Sequence, residues 1–589
     1  MATATMTLPK TKGGAFLIEE REPNEIFTPE DLTPEHLAIA RTVDEFWAKE
    51  VGPNVEAIQH HEPGVALACM HKAAELGLTG ITIPEQYGGM ELDLASAMVV
   101  AEHLARDGSY AGWEGAHAGI GTLPLLYFGN EQQKQKYLPK LAQLEMLAAY
   151  ALTEPQAGSD ALACRTRADL SPDGRNYILN GQKMWITNGG AADLFTVFAK
   201  VGGEKFTAFL VERAFGVKSG AEEQKMGIKG SSTTALYFDN VPVPVENLLG
   251  EIGRGHIIAL NVLNVGRLKL GPACVGGAKE VLALSLKYAK ERKAFGASIA
   301  DFGAIQHKLA EMAIRIYAAE TITWRVVGLI EGQLADFSWD KPDASQTMLR
   351  AVEEYAAECS MVKVFASEML DYVVDQGVQI HGGYGYHQDY EVERAYLDSR
   401  INRIFEGTNE INRLVTTGML LKRAARGQLP LVAAVQKVLG EILSGPGSSN
   451  GADEEMRLVS NAKKITLMAI GLAYQKYLDA LEKQQEIVMS IADLMMETLA
   501  MESVLLRSRK LASAGKGANA ADICAVFLRD AMGRIETSAR HVLGGCSEGD
   551  ALRTNMAVLR RLAKYEPVNA VALRRQIAGR LLARERYGV

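Results

Sequence analysis

The sequence predicts an α+β fold: helices first, then strands, then helices again, with a further helical domain at the end. Three observations carry this. Apolar residues recur at three- and four-residue spacing over about 33–144, and again over long stretches after Glu251. Over 146–245 they gather instead into short aromatic and β-branched runs separated by turn residues. The run Gly445-Pro446-Gly447-Ser448-Ser449-Asn450-Gly451 then breaks the second helical region with a linker composition. At 589 residues the chain exceeds what one hydrophobic core supports, so several domains are required.

Residues 1–32 are expected to form a flexible N-terminal segment. The stretch 1–14 is Thr-rich and lacks the apolar core or Arg-rich amphipathic pattern of a targeting sequence. The helical domain 33–145 opens at Thr33-Pro34-Glu35, which supplies a cap, a first-turn proline and an acid near the positive end of the helix dipole. Leu37, Ala40, Val43 and Phe46 follow at helical spacing, and further helices fall near 64–77, 92–107 and 109–128. In the β domain, 146–250, strands are expected at 177–179, 194–198, 206–211 and 235–238. Turns are expected at Pro172-Asp173-Gly174, Asn180-Gly181 and Asn188-Gly189-Gly190, and Pro242 and Pro244 close the segment. A helical domain over 251–426, a linker region over 427–452 and an extra helical domain over 453–589 complete the chain.

Composition narrows the function. With 48% hydrophobic and 23% charged residues the chain resembles an ordinary globular protein. A net charge of −8 argues against nucleic acid as a partner, because phosphate binding needs concentrated Lys and Arg. The charge is uneven: residues 427–589 carry 22 Lys and Arg against 17 Asp and Glu, net +5, leaving −13 for the remainder. Cys69, Cys164, Cys274, Cys359, Cys524 and Cys546 are widely spaced, with no CxxC and no Cys/His cluster. They read as reduced structural thiols of a cytoplasmic protein without a metal site. No apolar run is long enough to cross a bilayer.

Five short motifs carry chemistry, each with an ordinary reading beside it. Tyr150-Ala-Leu152-Thr153-Glu-Pro-Gln-Ala-Gly158-Ser159-Asp160 leaves a strand for a small-residue turn whose backbone and hydroxyls suit close approach to a ligand; alone it is a plain turn. Lys183-Met-Trp185-Ile-Thr187 places an indole beside polar groups, as a flat cofactor or an ordinary core would use it. Glu291-Arg292-Lys-Ala-Phe295-Gly296, in a helical region, offers a pyrophosphate clamp or a solvated face. Gln379-Ile-His-Gly382-Gly383-Tyr-Gly385 is a Gly-rich loop, and no βαβ unit surrounds it to make a dinucleotide fingerprint. Arg403-Ile-Phe405-Glu406-Gly407-Thr408-Asn409-Glu410 sets a carboxylate between Phe and Gly. Desolvation there would raise its pKa as a carbon base requires, whereas a surface acid is the commoner case.

Together, in this order, the motifs closely resemble the acyl-CoA dehydrogenase family over about 33–426. The resemblance implies a middle β-barrel-like domain and a C-terminal four-helix bundle, with FAD as cofactor. It implies FAD contacts at Tyr150, Leu152, Thr153, Gly158 and Ser159, at Trp185 and Thr187, and at Thr408. Arg292, Phe295, Gln379 and Gly383 match positions that hold the far end of FAD across a homodimer interface. Ser159, Asn264 and Arg267 match the coenzyme A arm, with Asn264 standing where many members have Asp; Phe405 and Gly407 flank the substrate beside the base.

The family places its base at one of two positions. Here one is Glu406 and the other is Gly266, so the resemblance makes Glu406 the base that removes the α-proton while FAD takes the β-hydride. Phe405, the segment Leu263-Asn264-Val265-Gly266-Arg267 and the added domain resemble very-long-chain acyl-CoA dehydrogenases. In that branch glycines near the end of an early helix deepen the acyl pocket; Gly121 fits, and Pro124 stands in place of a second glycine. The implied partners are long-chain acyl-CoA in fatty acid β-oxidation and an electron-transferring flavoprotein. An acyl-CoA oxidase, a scaffold retaining the fold and a DNA-associated relative are the alternatives. Two segments, 429–443 and the basic helix around 573–584, read either as peripheral contacts with the inner face of a membrane or as elements packed on the core.

Overall fold

The computed structural model describes residues 9–443 and 453–588. The N-terminal helical domain holds α1 (Pro34–Phe46), α2 (Val55–Gln59), α3 (Val65–Glu75), α4 (Leu94–Leu104), α5 (Gly108–Glu114), α6 (Leu123–Phe128) and α7 (Glu131–Ala142). The expected cap at its start forms: Thr33 Oγ1 accepts the His36 N–H at 3.3 Å, with Pro34 in the first turn. Between α5 and α6 the helix widens into a π-turn, Gly115–Gly121, which sequence periodicity alone does not reveal.

The β domain comprises β1 (Ala148–Ala151), β2 (Arg167–Leu170), β3 (Asn176–Thr187), β4 (Leu194–Val201), β5 (Lys205–Glu212), β6 (Lys218–Glu222), β7 (Thr233–Pro244) and β8 (Leu248–Leu249). The strands run in the order β6-β7-β3-β2-β4-β5-β8, and β1 joins alongside β4 in parallel, Ala148 facing Leu194. The expected Asn180-Gly181 turn is instead a bulge inside β3, where its register with β7 shifts. Gly181, at φ +152°, presses on Thr166, and a Cβ there would come within 2.5 Å of Thr166 Oγ1.

After it come α8 (Gly255–Glu291), a hairpin of β9 (Lys293–Ala294) and β10 (Ala297–Ser298), α9 (Gly303–Gln333), α10 (Ala344–Glu354), α11 (Ala356–His381), α12 (Glu391–Ser399) and α13 (Asn409–Ala425). Helices α8, α9, α11 and α13 pack on one another as the catalytic-domain bundle. The C-terminal domain adds α14 (Leu431–Leu443), α15 (Glu454–Tyr477), α16 (Gln485–Ser513), α17 (Ala518–Cys546), α18 (Gly549–Leu562) and α19 (Ala570–Arg584). Helix α16 lies against both α9 and α13, and α19 against α9 and α17.

Two expectations about the ends of the chain are corrected, and one open alternative is narrowed. Within the segment 1–32, the described part is ordered: Phe16 and Leu17 are buried, and the Gly13 and Gly14 N–H groups donate to the Glu354 and Glu358 carboxylates at 2.9 and 2.6 Å. Glu30 accepts from Arg507 of α16 at 2.7 Å, so this segment is pinned by the C-terminal domain. The region 427–452 is not all linker, since α14 occupies 431–443 of it with Leu431 and Val438 buried; the Gly/Ser run 445–451 lies outside the described residues. The basic helix α19 packs inward: Arg574 pairs with Glu311 and Asp530, and Arg580 with Asp522. Those carboxylates occupy Arg574 and Arg580, two of the four arginines of α19, which favours the packed alternative. Among the described residues no helix is long and apolar enough to cross a membrane.

Arg507 closes a buried ionic chain across three domains. It donates to Glu320 of α9 at 2.6 Å, Glu320 also pairs with Lys279 of α8 at 2.5 Å, and Lys279 pairs with Glu102 of α4 at 2.6 Å. The added domain is therefore built into the core of the molecule.

Candidate active site

Glu406 occupies the short turn before α13. Its backbone is left-handed, φ +56°, as is that of Gly407, φ +82°; this is uncommon for a residue with a side chain and persists only where surroundings enforce it. Three helices do so. From α8, Arg267 Nε donates to the Glu406 carbonyl at 3.1 Å. From α11, Lys363 Nζ donates to the Gly407 carbonyl at 2.8 Å and to Asn409 Oδ1 at 2.7 Å. From α13 itself, Asn412 Nδ2 donates to the carbonyls of Glu406, Gly407 and Thr408 at 3.3, 2.8 and 3.1 Å. Thr408 caps the helix, its Oγ1 accepting the Ile411 N–H at 3.3 Å. Every carbonyl of the turn is thus satisfied, and the carboxylate is aimed by its backbone.

That carboxylate is buried and Oε2 has no hydrogen-bond partner among the described residues. It stands over the bare α-carbon of Gly266, where a Cβ would lie 2.9 Å from Oε2. Burial pushes the Glu406 carboxyl up to about 7, against the opposing pull of Arg267 and Lys363. Burial likewise lowers the Lys363 ammonium to about 8. An acid poised near neutrality, with one oxygen free, is what proton abstraction from carbon needs.

Glu406 and Gly266 share the wall of a cavity of about 170 Å³ with Phe405, with Met98, Ala101 and Leu104 of α4, and with Thr187 at the end of β3. The π-turn lines it through Gly115 and Gly119; no atom lies within 4 Å of a Cβ placed at Gly115, and only Lys269 Cδ, at 3.9 Å, at Gly119. Gly121, the expected pocket glycine, is elsewhere: its α-carbon packs on β1, with Ala148 Cβ 2.9 Å from a Cβ built there. The signal was present in Ala118-Gly119-Ile120-Gly121, but only the π-turn decides which glycine faces the cavity.

The flank beside Thr187 fits a flat cofactor. Trp185 is held in left-handed backbone, φ +56°, with its indole 60% exposed, and the Tyr150 hydroxyl is buried without a partner. The turn after β1 is open at Gly158, where nothing lies within 4 Å of a Cβ, and Ser159 is exposed. A buried ion pair missed from sequence joins the two motifs: Lys183 Nζ reaches Glu154 Oε1 at 2.7 Å and the Leu152 carbonyl at 3.1 Å. Glu154 also accepts the Arg165 and Thr166 N–H groups at 2.6 and 3.1 Å, and the Thr153 carbonyl accepts the Met184 N–H at 2.9 Å. These bonds fix Leu152 and Thr153 against the strand that carries Trp185 and Thr187.

Asn264 and Arg267, expected on a coenzyme A arm, are buried and bonded to each other: Arg267 Nη1 donates to Asn264 Oδ1 at 3.1 Å while Nε holds the Glu406 carbonyl. One further expectation changes. Arg292 and Phe295 are not helical, because α8 ends at Glu291 and Phe295-Gly296, at φ +53° and +83°, form the two-residue turn of the β9–β10 hairpin. Phe295 is 97% exposed at its tip. Arg292 stacks on Tyr384 at 5.7 Å and lines a groove with Gly383, and Gln379 lies exposed near the end of α11. This groove shares no lining residue with the Glu406 cavity, so one chain does not bring the two sets together.

A buried carboxylate on a three-helix support faces a largely apolar cavity beside a slot that suits a flat ring, an arrangement fit for proton abstraction next to a planar cofactor. The comparisons agree. The acyl-CoA dehydrogenase N-terminal domain matches residues 33–145, the middle domain 149–241, and two descriptions of the C-terminal domain 253–420 and 461–561. The chain belongs to the acyl-CoA dehydrogenase family. It is 47% identical over 586 residues to a probable acyl-CoA dehydrogenase of Bacillus subtilis (strain 168), covering 98% of each chain. The crystal structure of a Bacillus anthracis acyl-CoA dehydrogenase complexed with FAD superposes with a TM-score of 0.97 at 48% identity, covering 98% of this chain and 100% of that one. The rat mitochondrial very long-chain specific acyl-CoA dehydrogenase is 42% identical over 351 residues, 58% of this chain and 51% of that protein. The protein is an FAD-dependent acyl-CoA dehydrogenase.

Proposed function

We propose that the enzyme desaturates long-chain fatty acyl-CoA to the trans-2-enoyl-CoA in β-oxidation, passing electrons to an electron-transferring flavoprotein. The observation that carries this is Glu406, with a free oxygen and a carboxyl at about 7, in the wall of an apolar cavity deepened by Gly115 and Gly119. Glu406 Oε2 takes the α-proton, and the backbone N–H of Glu406 polarises the thioester carbonyl. Arg267, Lys363 and Asn412 act as positioning residues that hold the turn, and the charges of Arg267 and Lys363 keep the carboxyl from rising further. FAD, when bound, supplies the acceptor for the β-hydride. Tyr150, Leu152, Thr153, Gly158, Ser159, Trp185, Thr187 and Thr408 would hold it, with Arg292, Phe295, Gln379 and Gly383 serving the cofactor of a second copy in a homodimer. Ser159 would border the coenzyme A arm. The setting is cytoplasmic.

The test is a substrate series from short to very long acyl-CoA with a dye acceptor, repeated with an electron-transferring flavoprotein. A rise in kcat/KM with chain length supports the reading; preference for the shortest chains, or hydrogen peroxide formation in air without either acceptor, overturns it.

A further inference from the structure

The acyl cavity is not uniformly apolar. Lys269 of α8 and Glu114 of α5 both line it and pair with each other, Nζ to Oε2 at 3.1 Å. Ser231 lines it too, and its buried Oγ has no hydrogen-bond partner; the hydroxyl lies over the bare α-carbon of Gly112, 2.8 Å from where a Cβ would be. Tyr127 lines the same space, and burial alone pushes its phenol up, with no bonded or charged neighbour contributing.

An alkyl chain filling this cavity displaces water from these groups and gives nothing back. Ammonium carries three donors and carboxylate several lone pairs, so the contacts of Lys269 Nζ with Glu114 Oε2 and Oε1, at 3.1 and 3.5 Å, leave capacity on both groups. Desolvating it against methylenes is costly, and leaving a buried donor unmade costs more than a net hydrogen bond returns. A hydroxyl resolves this, since its oxygen accepts from Lys269 while its proton goes to Glu114. The position along the chain also follows. Gly266 abuts the Glu406 carboxylate, and Lys269 lies three residues further along α8, about 4.5 Å of helix rise. The polar pair is therefore set off from the Glu406 carboxylate by most of a helical turn, in the same cavity.

We propose that the preferred substrates are acyl-CoA thioesters carrying a hydroxyl beyond the β-carbon, and that Lys269, Glu114 and the free hydroxyl of Ser231 select for it. This rests on the desaturase reading above and adds the chemical class of the chain. Sites built to hydrogen-bond a substrate hydroxyl discriminate strongly against the analogue without it, whereas apolar pockets tolerate either.

The experiment uses the FAD holoenzyme and dye reduction with acyl-CoA of one chain length, unsubstituted or with the hydroxyl walked outward from the γ-carbon. At least one hydroxyl position is expected to raise kcat/KM roughly tenfold or more over the plain chain. In the double variant K269M/E114L, which exchanges the pair for apolar side chains of similar size, the preference is expected to reverse, the plain chain gaining and the hydroxylated chain losing. Wild-type enzyme that turns over the plain chain at least as well as every hydroxylated one overturns the proposal and leaves the desaturase reading intact. Failure of all chains, plain and substituted, overturns both. If the double variant does not fold, the wild-type series decides alone.

Discussion

Glu406→Gln removes the proposed proton acceptor while keeping the side chain's volume, and it separates catalysis from stability in one substitution. Burial, the largest influence on Glu406, holds its carboxyl at about 7 instead of the ordinary 4.5, with Arg267 and Lys363 opposing. That difference, at about 1.4 kcal/mol per tenfold, amounts to about 3 kcal/mol. The sign is fixed by linkage. Between pH 4.5 and 7 the unfolded chain has released this proton and the folded chain keeps it, so stability falls as pH rises and the loss is complete above about pH 7. Glutamine carries no such penalty. The variant is therefore expected to match wild type near pH 4.5 and to exceed it by up to about 3 kcal/mol at pH 8. The gain is reduced by the attraction that Arg267 and Lys363 lose and by the amide's own need for a partner where Oε2 now has none. Denaturant midpoints at pH 5 and pH 8 check the stability, and dye reduction with the FAD-loaded protein checks activity, which should fall by about 10³-fold or more. A yellow, folded variant with near wild-type turnover refutes the assignment of the base. A variant no more stable at pH 8 than at pH 5, relative to wild type, refutes the desolvated carboxyl.

Three other perturbations bear on the same architecture. Gly266→Ala would put a Cβ 2.9 Å from Glu406 Oε2 and displace the carboxylate; kcat should drop roughly tenfold or more with FAD content unchanged, read from flavin absorbance. Lys363→Met removes the bonds to the Gly407 carbonyl and Asn409, and also a cation that lowers the Glu406 carboxyl. The acidic limb of the kcat/KM–pH profile should move upward, which loosened packing alone would not cause. Arg507→Met leaves Glu320 with Lys279 and the Tyr587 hydroxyl and frees Glu30; breaking a buried pair this way should cost about 3–5 kcal/mol, seen as a lower denaturation midpoint.

The sequence by itself determined the order of domains and the chemistry. Periodicity is local, so the helices from Thr33 onward and the strands around Leu194 and Phe206 fall where their apolar residues recur. The cap and glycine turn of Phe405-Glu406-Gly407-Thr408 are encoded in adjacent residues, whereas the base is suggested there only by the motif's resemblance to the family. Tertiary structure decided everything that depends on residues distant in the chain. Only the fold sets Arg267, Lys363 and Asn412 around one turn, and only burial from all sides raises the Glu406 carboxyl. It shows Arg267 holding that turn where sequence suggested a ligand contact, and it selects Gly119 over Gly121 as the cavity glycine, because a π-turn rotates the side-chain positions that ordinary helical spacing assumes. Phe16, Leu17 and Glu30 looked like a loose beginning for the same reason: their partners, Arg507 among them, lie more than four hundred residues away and become neighbours only when the last domain docks on α9. Desolvation and long-range pairing are properties of the assembled core, and no local pattern records them.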